Sequence, residues 1–93
     1  MIQKIVRIEN KLGLHARAAA KFVNHTSRYG SDILVRKIDQ AETQRVNGKS
    51  IMGIMMLAAS RGTELELQIN GDDEELMMDD IITLIKDRFG EDA

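Results

Sequence analysis

In the segment TELELQIN, Leu65, Leu67 and Ile69 alternate with Glu64, Glu66 and Gln68. That period of two predicts a strand with one wet face and one core face. Ile2 to Ile8 is β-branched and partly alternating, with Ile2, Val6 and Ile8 on one parity, and predicts a half-buried strand ended by Gly13. From Ala16 to about Tyr29 the spacing changes. Ala19, Phe22, Val23 and Thr26 recur every three or four residues among good helix formers, so an amphipathic helix is predicted, with Gly30 as its left-handed stop.

Asp32 to Ile38, with the run Ile33, Leu34 and Val35, predicts a second strand, and Thr43 to Val46 a weak hairpin partner closed by the turn pair Asn47-Gly48. Ile51, Met52, Ile54, Met55, Met56 and Leu57 run on too long for a strand bounded by Gly48 and Gly62. A helix capped by Ser50 and ended by Gly62 is preferred. Asn70-Gly71 predicts a turn, and Asp72 followed three residues later by Glu75 a capping-box start for a last helix. Leu76, Met77, Ile81, Ile82, Leu84, Ile85 and Phe89 give that helix an apolar face through to Phe89, where Gly90 stops it.

The order is strand, helix, strand, strand, helix, strand, helix, and the polar face of TELELQIN requires all helices on the other side of the sheet. The expected fold is α+β, a two-layer open-faced sandwich with a four-stranded, mostly antiparallel sheet and three helices on one face. With 93 residues, one domain spanning residues 1–93 is expected.

Composition narrows the functional classes. A net charge of -2, from 13 basic and 15 acidic side chains, provides no field for nucleic-acid phosphates, and nucleic acid is not expected as a partner. A sheet-based RNA-binding module needs exposed aromatics, and the chain has two Phe and one Tyr. No stretch reaches the roughly 20 apolar residues of a membrane span, and the absence of cysteine carries no mark of an oxidising compartment, so a cytoplasmic address is expected. No metal or cofactor site is read from the chain.

Only His15 and His25 titrate near neutral pH. His25 falls within the predicted first helix beside Asn24, where a solvent-facing role without function is expected. His15 lies between the flexible Lys11–Leu14 loop and the helical Ala16 and Arg17, at or next to the N-cap. A helix N-terminus offers unpaired N–H groups and about half a positive charge, which favours a neutral ring and welcomes an anion. Gly13 permits close approach, Ala16 leaves the ring uncovered and Arg17 adds a cation. Spacing alone leaves two readings of His15 open, a helix cap or a phosphoryl acceptor.

The segment LGLHARAAAKF resembles the active-site segment of HPr, the histidine-containing phosphocarrier family of the bacterial phosphoenolpyruvate:sugar phosphotransferase system, and of its nitrogen-related paralogue. NGKSIMGIMML resembles that family's regulatory-serine segment, and the element order agrees with the family's fold over essentially the whole chain.

The resemblance implies that His15 takes a phosphoryl group on Nδ1 from phosphorylated enzyme I and passes it to an EIIA-type acceptor, with Arg17 contacting the phosphate. Ser50 matches the serine modified by an ATP-dependent kinase, which weakens exchange with enzyme I. Ile51, Met52 and Met55, with Ala16, Arg17, Ala20 and Lys49, match the docking surface of a carrier expected to be monomeric. The chain would then be a covalent carrier within a pathway rather than a free-standing enzyme.

One departure is Ala18, where the family usually has proline; alanine keeps the helix and adds an N–H. A regulatory adaptor signalling through Ser50 without sugar transport is the alternative. Ser50 also has a structural role as a helix cap, and among the methionines Met56 is expected in the core while Met52 and Met55 are candidate contact residues.

Overall fold

In the computed structural model, which describes residues 1–38 and 44–93, the chain forms β1 (Ile2–Arg7), α1 (Ala16–Thr26), β2 (Asp32–Lys37), β3 (Val46–Asn47), α2 (Ile51–Met56), β4 (Glu64–Asn70) and α3 (Glu74–Lys86). A 3-10 turn, Arg88–Gly90, follows. The sheet order is β1-β4-β2-β3, with every neighbouring pair antiparallel.

The alternation in β4 sets the two faces. Leu65, Leu67 and Ile69 are buried with Val6, Ile33 and Val35 on one side, against Ala18, Ala19 and Phe22 of α1, Ile54 of α2 and Met77, Met78, Ile81 and Ile85 of α3. On the other side Glu66 pairs in register with Arg36 and forms an ion pair with it, Nε to Oε1, at 2.9 Å. This is an α+β open-faced sandwich with its three helices on one face. Among the described residues, no helix is long and apolar enough to cross a membrane.

The element order matches the sequence reading, but several boundaries do not. The first helix stops at Thr26 rather than Tyr29, because the Thr26 hydroxyl turns back to Val23 and Gly48 carbonyl oxygens. The hairpin partner is the two-residue β3, one residue beyond the predicted Val46, and Thr43 lies outside the described residues. The second helix ends at Met56, six residues before Gly62, since Ala58 takes a left-handed φ of 50°.

The last helix starts at Glu74 and the predicted Asp72–Glu75 capping box is not formed. Glu74 instead reaches back to the Gly71 amide, while the Asp73 carboxylate accepts from the Gly30 and Ser31 amides and the Ser31 hydroxyl. Asp73 thus ties the turn after α1 to the start of α3. The same helix ends at Lys86, not Phe89. Arg88 and Phe89 adopt left-handed φ angles of 57° and 56°, which turn the Phe89 ring fully into the core. Such angles cost roughly 1–2 kcal/mol per residue, and burying a phenyl ring returns about 1.5–3 kcal/mol.

Candidate functional site

His15 is the N-cap of α1, with extended backbone angles and its carbonyl accepting from the Ala19 amide at 2.8 Å. Its ring is held at both nitrogens. Nδ1 accepts from the Arg17 amide at 3.2 Å, and Nε2 lies 2.6 Å from Oε2 of Glu91. Because Nδ1 accepts, the ring proton sits on Nε2 and is donated to the carboxylate. The side chain remains 27% exposed, enough for a reactant to reach it.

The loop before His15 depends on Gly13. Its φ is 67°, and a Cβ there would overlap the Ala59 carbonyl, the same oxygen that accepts from the Leu14 amide at 2.9 Å. Only glycine tolerates both conditions. The contact also brings the segment leaving α2 against the residue preceding His15.

Glu91 reaches the ring because of the left-handed turn at Arg88 and Phe89. Lys21 of α1 fastens that turn by donating to the Phe89 carbonyl at 2.6 Å. Fully buried Asn10 donates to the Gly13 carbonyl at 2.7 Å and to Oε1 of Glu91 at 3.1 Å, joining the loop to the carboxylate. Partial burial of Glu91 opposes its charged form, yet hydrogen bonds from His15 and Asn10 hold its carboxyl below the ordinary value.

His15, Ala16, Arg17 and Glu91 line an open concavity together with Lys11 and Leu12, so two cations flank the ring. An approaching anion meets positive charge, and the Nδ1 lone pair faces an amide at an exposed helix terminus. One expectation needs correction. The first-turn amides are not all vacant, since the Arg17 N–H is already on Nδ1, through a long bond that a stronger acceptor can take over.

The second candidate group also forms. Ser50 caps α2, its hydroxyl accepting from the Gly53 amide at 3.1 Å. Ile51, Met52 and Met55 are exposed, as is Met56, which at 75% exposure is not the core residue expected. Helix α2 is too short to bury more than Ile54. Ala16 is exposed and Ala20 half-buried on α1, and Leu12 adds an exposed apolar side chain that the sequence reading did not select. The Lys49 ammonium is engaged with the Tyr29 carbonyl at 2.8 Å.

His25 is not the solvent-facing filler expected. Its Nδ1 lies 2.6 Å from Oδ1 of Asp80 on α3, whose Oδ2 accepts from the Tyr29 hydroxyl at 2.6 Å. Both Phe rings are fully buried and Tyr29 is half-buried, its hydroxyl on Asp80.

The family described as "PTS HPr component phosphorylation site" matches residues 2–87. The chain belongs to the HPr family. It is 50% identical over 91 residues to the phosphocarrier protein HPr of Neisseria meningitidis serogroup A, covering 98% of each chain. The crystal structure of HPr-C-His from Thermoanaerobacter tengcongensis superimposes with a TM-score of 0.89 at 43% identity, covering 100% of both chains. An HPr dimer from the same organism matches at 0.73 and 44% identity, covering 98% of this chain and 100% of that one. This HPr-family chain is a phosphocarrier of the phosphotransferase system, whose other components include enzyme I and EIIA proteins.

Proposed function

We propose that His15 accepts a phosphoryl group on Nδ1 from a phosphohistidine of enzyme I and passes it to a histidine of an EIIA-type protein. The observation that carries this reading is the pair of ring contacts, the Arg17 amide on Nδ1 at an open helix terminus and the Glu91 carboxylate on Nε2, which together call for an unprotonated Nδ1.

The Nδ1 lone pair attacks phosphorus as the donor's P–N bond breaks, and the electron pair of that bond returns to the donor imidazole. Transfer of this kind passes through a loose in-line transition state, so positioning and charge account for most of the catalysis. Once Nδ1 carries the phosphoryl group it no longer accepts from Arg17, and the freed amide donates to a phosphoryl oxygen. The exposed Arg17 guanidinium meets the remaining charge. The phosphorylated ring is a cation-like group whose Nε2–H still points at the Glu91 carboxylate, which stabilises it. Transfer onward reverses these steps.

Ala16, Ala20, Ile51, Met52 and Met55, joined by Leu12 and Met56, form the docking face. A phosphate on Ser50, added by a serine kinase, places negative charge at its centre and opposes an acidic partner. Lys49 contributes by holding the α1 end against that face. The chain acts as one 93-residue cytoplasmic domain and as a monomer, since one face must serve successive partners.

The test is incubation with phosphoenolpyruvate and enzyme I. One phosphoryl group is expected on wild type and none on His15→Ala, with ³¹P NMR reporting Nδ1. Wild type that acquires no phosphoryl group overturns the reading.

A further inference from the structure

Three of the six methionines, Met52, Met55 and Met56, lie on the six-residue α2 and are exposed by 69%, 40% and 75%. Two others, Met77 and Met78 on α3, are buried in the core at 0% and 1%. The chain has no cysteine, so no thiol competes for a mild oxidant. Thioethers then become the main targets, and burial sorts them into a reachable set on one helix and a protected set in the core.

We propose that Met52, Met55 and Met56 form an oxidant-sensitive modification site through which peroxides close the docking face. The inference rests on the docking role given to α2 above. Each thioether sulfur attacks one peroxide oxygen. An S=O bond forms, the O–O bond breaks, sulfur loses two electrons and the second oxygen leaves as water.

The product is a sulfoxide, polar and a strong acceptor, where an apolar thioether had been. A partner that covers the helix must then bury an acceptor without a donor for it. The fold does not depend on these sulfurs, because only Ile54 of α2 reaches the core. Closure therefore leaves the sheet and α3 intact. The segment leaving α2 is tied to the loop that carries His15, since Ala59, just after the helix, accepts from the Leu14 amide. Methionine sulfoxide reductases return sulfoxides to thioethers, which makes the closure reversible.

Met1 provides a marker. It is 63% exposed, its sulfur accepts from the Gln68 side-chain Nε2 at 2.8 Å, and it lies at the opposite end of β1 from the loop leading to His15.

The experiment treats folded wild type with hydrogen peroxide, maps oxygen uptake by peptide mass spectrometry, and measures the Kd for enzyme I before and after. Uptake is expected at Met1, Met52, Met55 and Met56 and not at Met77 or Met78, with docking weakened about ten-fold and recovered after reductase treatment. In a Met52→Leu/Met55→Leu/Met56→Leu variant, Met1 oxidises but the Kd after treatment equals the variant's own Kd before it. An unchanged wild-type Kd despite oxidation of α2, or an equal loss in the variant, overturns the inference. Failure of the carrier reading registers separately, as untreated protein that docks but never acquires a phosphoryl group at His15.

Discussion

Nε2 of His15 and Oε2 of Glu91, 76 residues apart in sequence, lie 2.6 Å from each other, and this pairing gives the helix cap a ring whose unprotonated nitrogen is Nδ1, facing the Arg17 amide. The contact joins distant parts of the chain, since the proposed phosphoryl acceptor sits before the first helix and the residue that sets its tautomer sits after the last.

Glu91→Gln keeps the shape of the contact and removes its charge. The phosphorylated form is expected to lose about 1–2 kcal/mol of stabilisation, a roughly five- to thirty-fold shift in the exchange equilibrium with enzyme I. Equilibrium phosphorylation at fixed phosphoenolpyruvate to pyruvate ratio checks this. The Glu91 carboxyl is depressed in the folded protein. Its support is therefore present above the ordinary glutamate value, about 4.3, and lost as pH falls through the lower folded value. Carboxyl titration by NMR in His15→Ala should show Glu91 moving back toward that ordinary value.

Gly13→Ala places a methyl group on the Ala59 carbonyl at a φ of 67°. The left-handed conformation alone costs roughly 1–2 kcal/mol for alanine, and the overlap adds to it. Chemical denaturation is expected to show at least that loss, and the displaced loop should slow phosphoryl uptake at His15 in the surviving folded fraction.

Ser50→Ala removes the acceptor of the Gly53 amide and is expected to lower stability by about 0.5–2 kcal/mol while leaving docking charge unchanged. Ser50→Asp retains a capping acceptor and adds negative charge beside Ile51 and Met52. Its stability should stay near wild type while its uptake from enzyme I falls, so the pair of variants separates the cap from the docking effect.

Asp80→Asn leaves His25 and Tyr29 without their shared carboxylate, at an expected cost of about 1–3 kcal/mol. Burial of Asp80 favours its neutral form, but hydrogen bonds from Tyr29 and His25 hold its carboxyl below the ordinary value. The contribution is thus present above the usual aspartate range, near pH 4, and is lost as pH falls through the lower folded value. Denaturation midpoints of wild type and Asp80→Asn should differ at neutral pH and converge in acid, while phosphoryl uptake at neutral pH stays with the folded fraction.

Much of the architecture was legible because it rests on local repetition. The alternation of Leu65, Leu67 and Ile69 identified the core side of the sheet, and the spacing of Ala19 and Phe22 identified the buried face of α1. His15 and Ser50 stood out for the same reason, since each is a polar residue at the start of a periodic run and both proved to be N-caps. The helix ends depart from the local pattern where a distant partner intervenes. Asp73 gave its carboxylate to Gly30 and Ser31 rather than to its own helix, and Phe89 left the helical path to bury its ring.

Asn10, Lys21 and Glu91 carry no periodic signal at all, and His25 acquires its partner only when α3 brings Asp80 against it. Local pattern determines which residues form strands and helices and which side of each faces the core, because those preferences act over a few residues. Only the folded chain decides what Nε2 of His15 meets, because that contact requires the Arg88–Phe89 turn, the Lys21 tether and the Asn10 bridge to bring the C-terminal segment across the start of α1. No interaction between near neighbours in sequence specifies it.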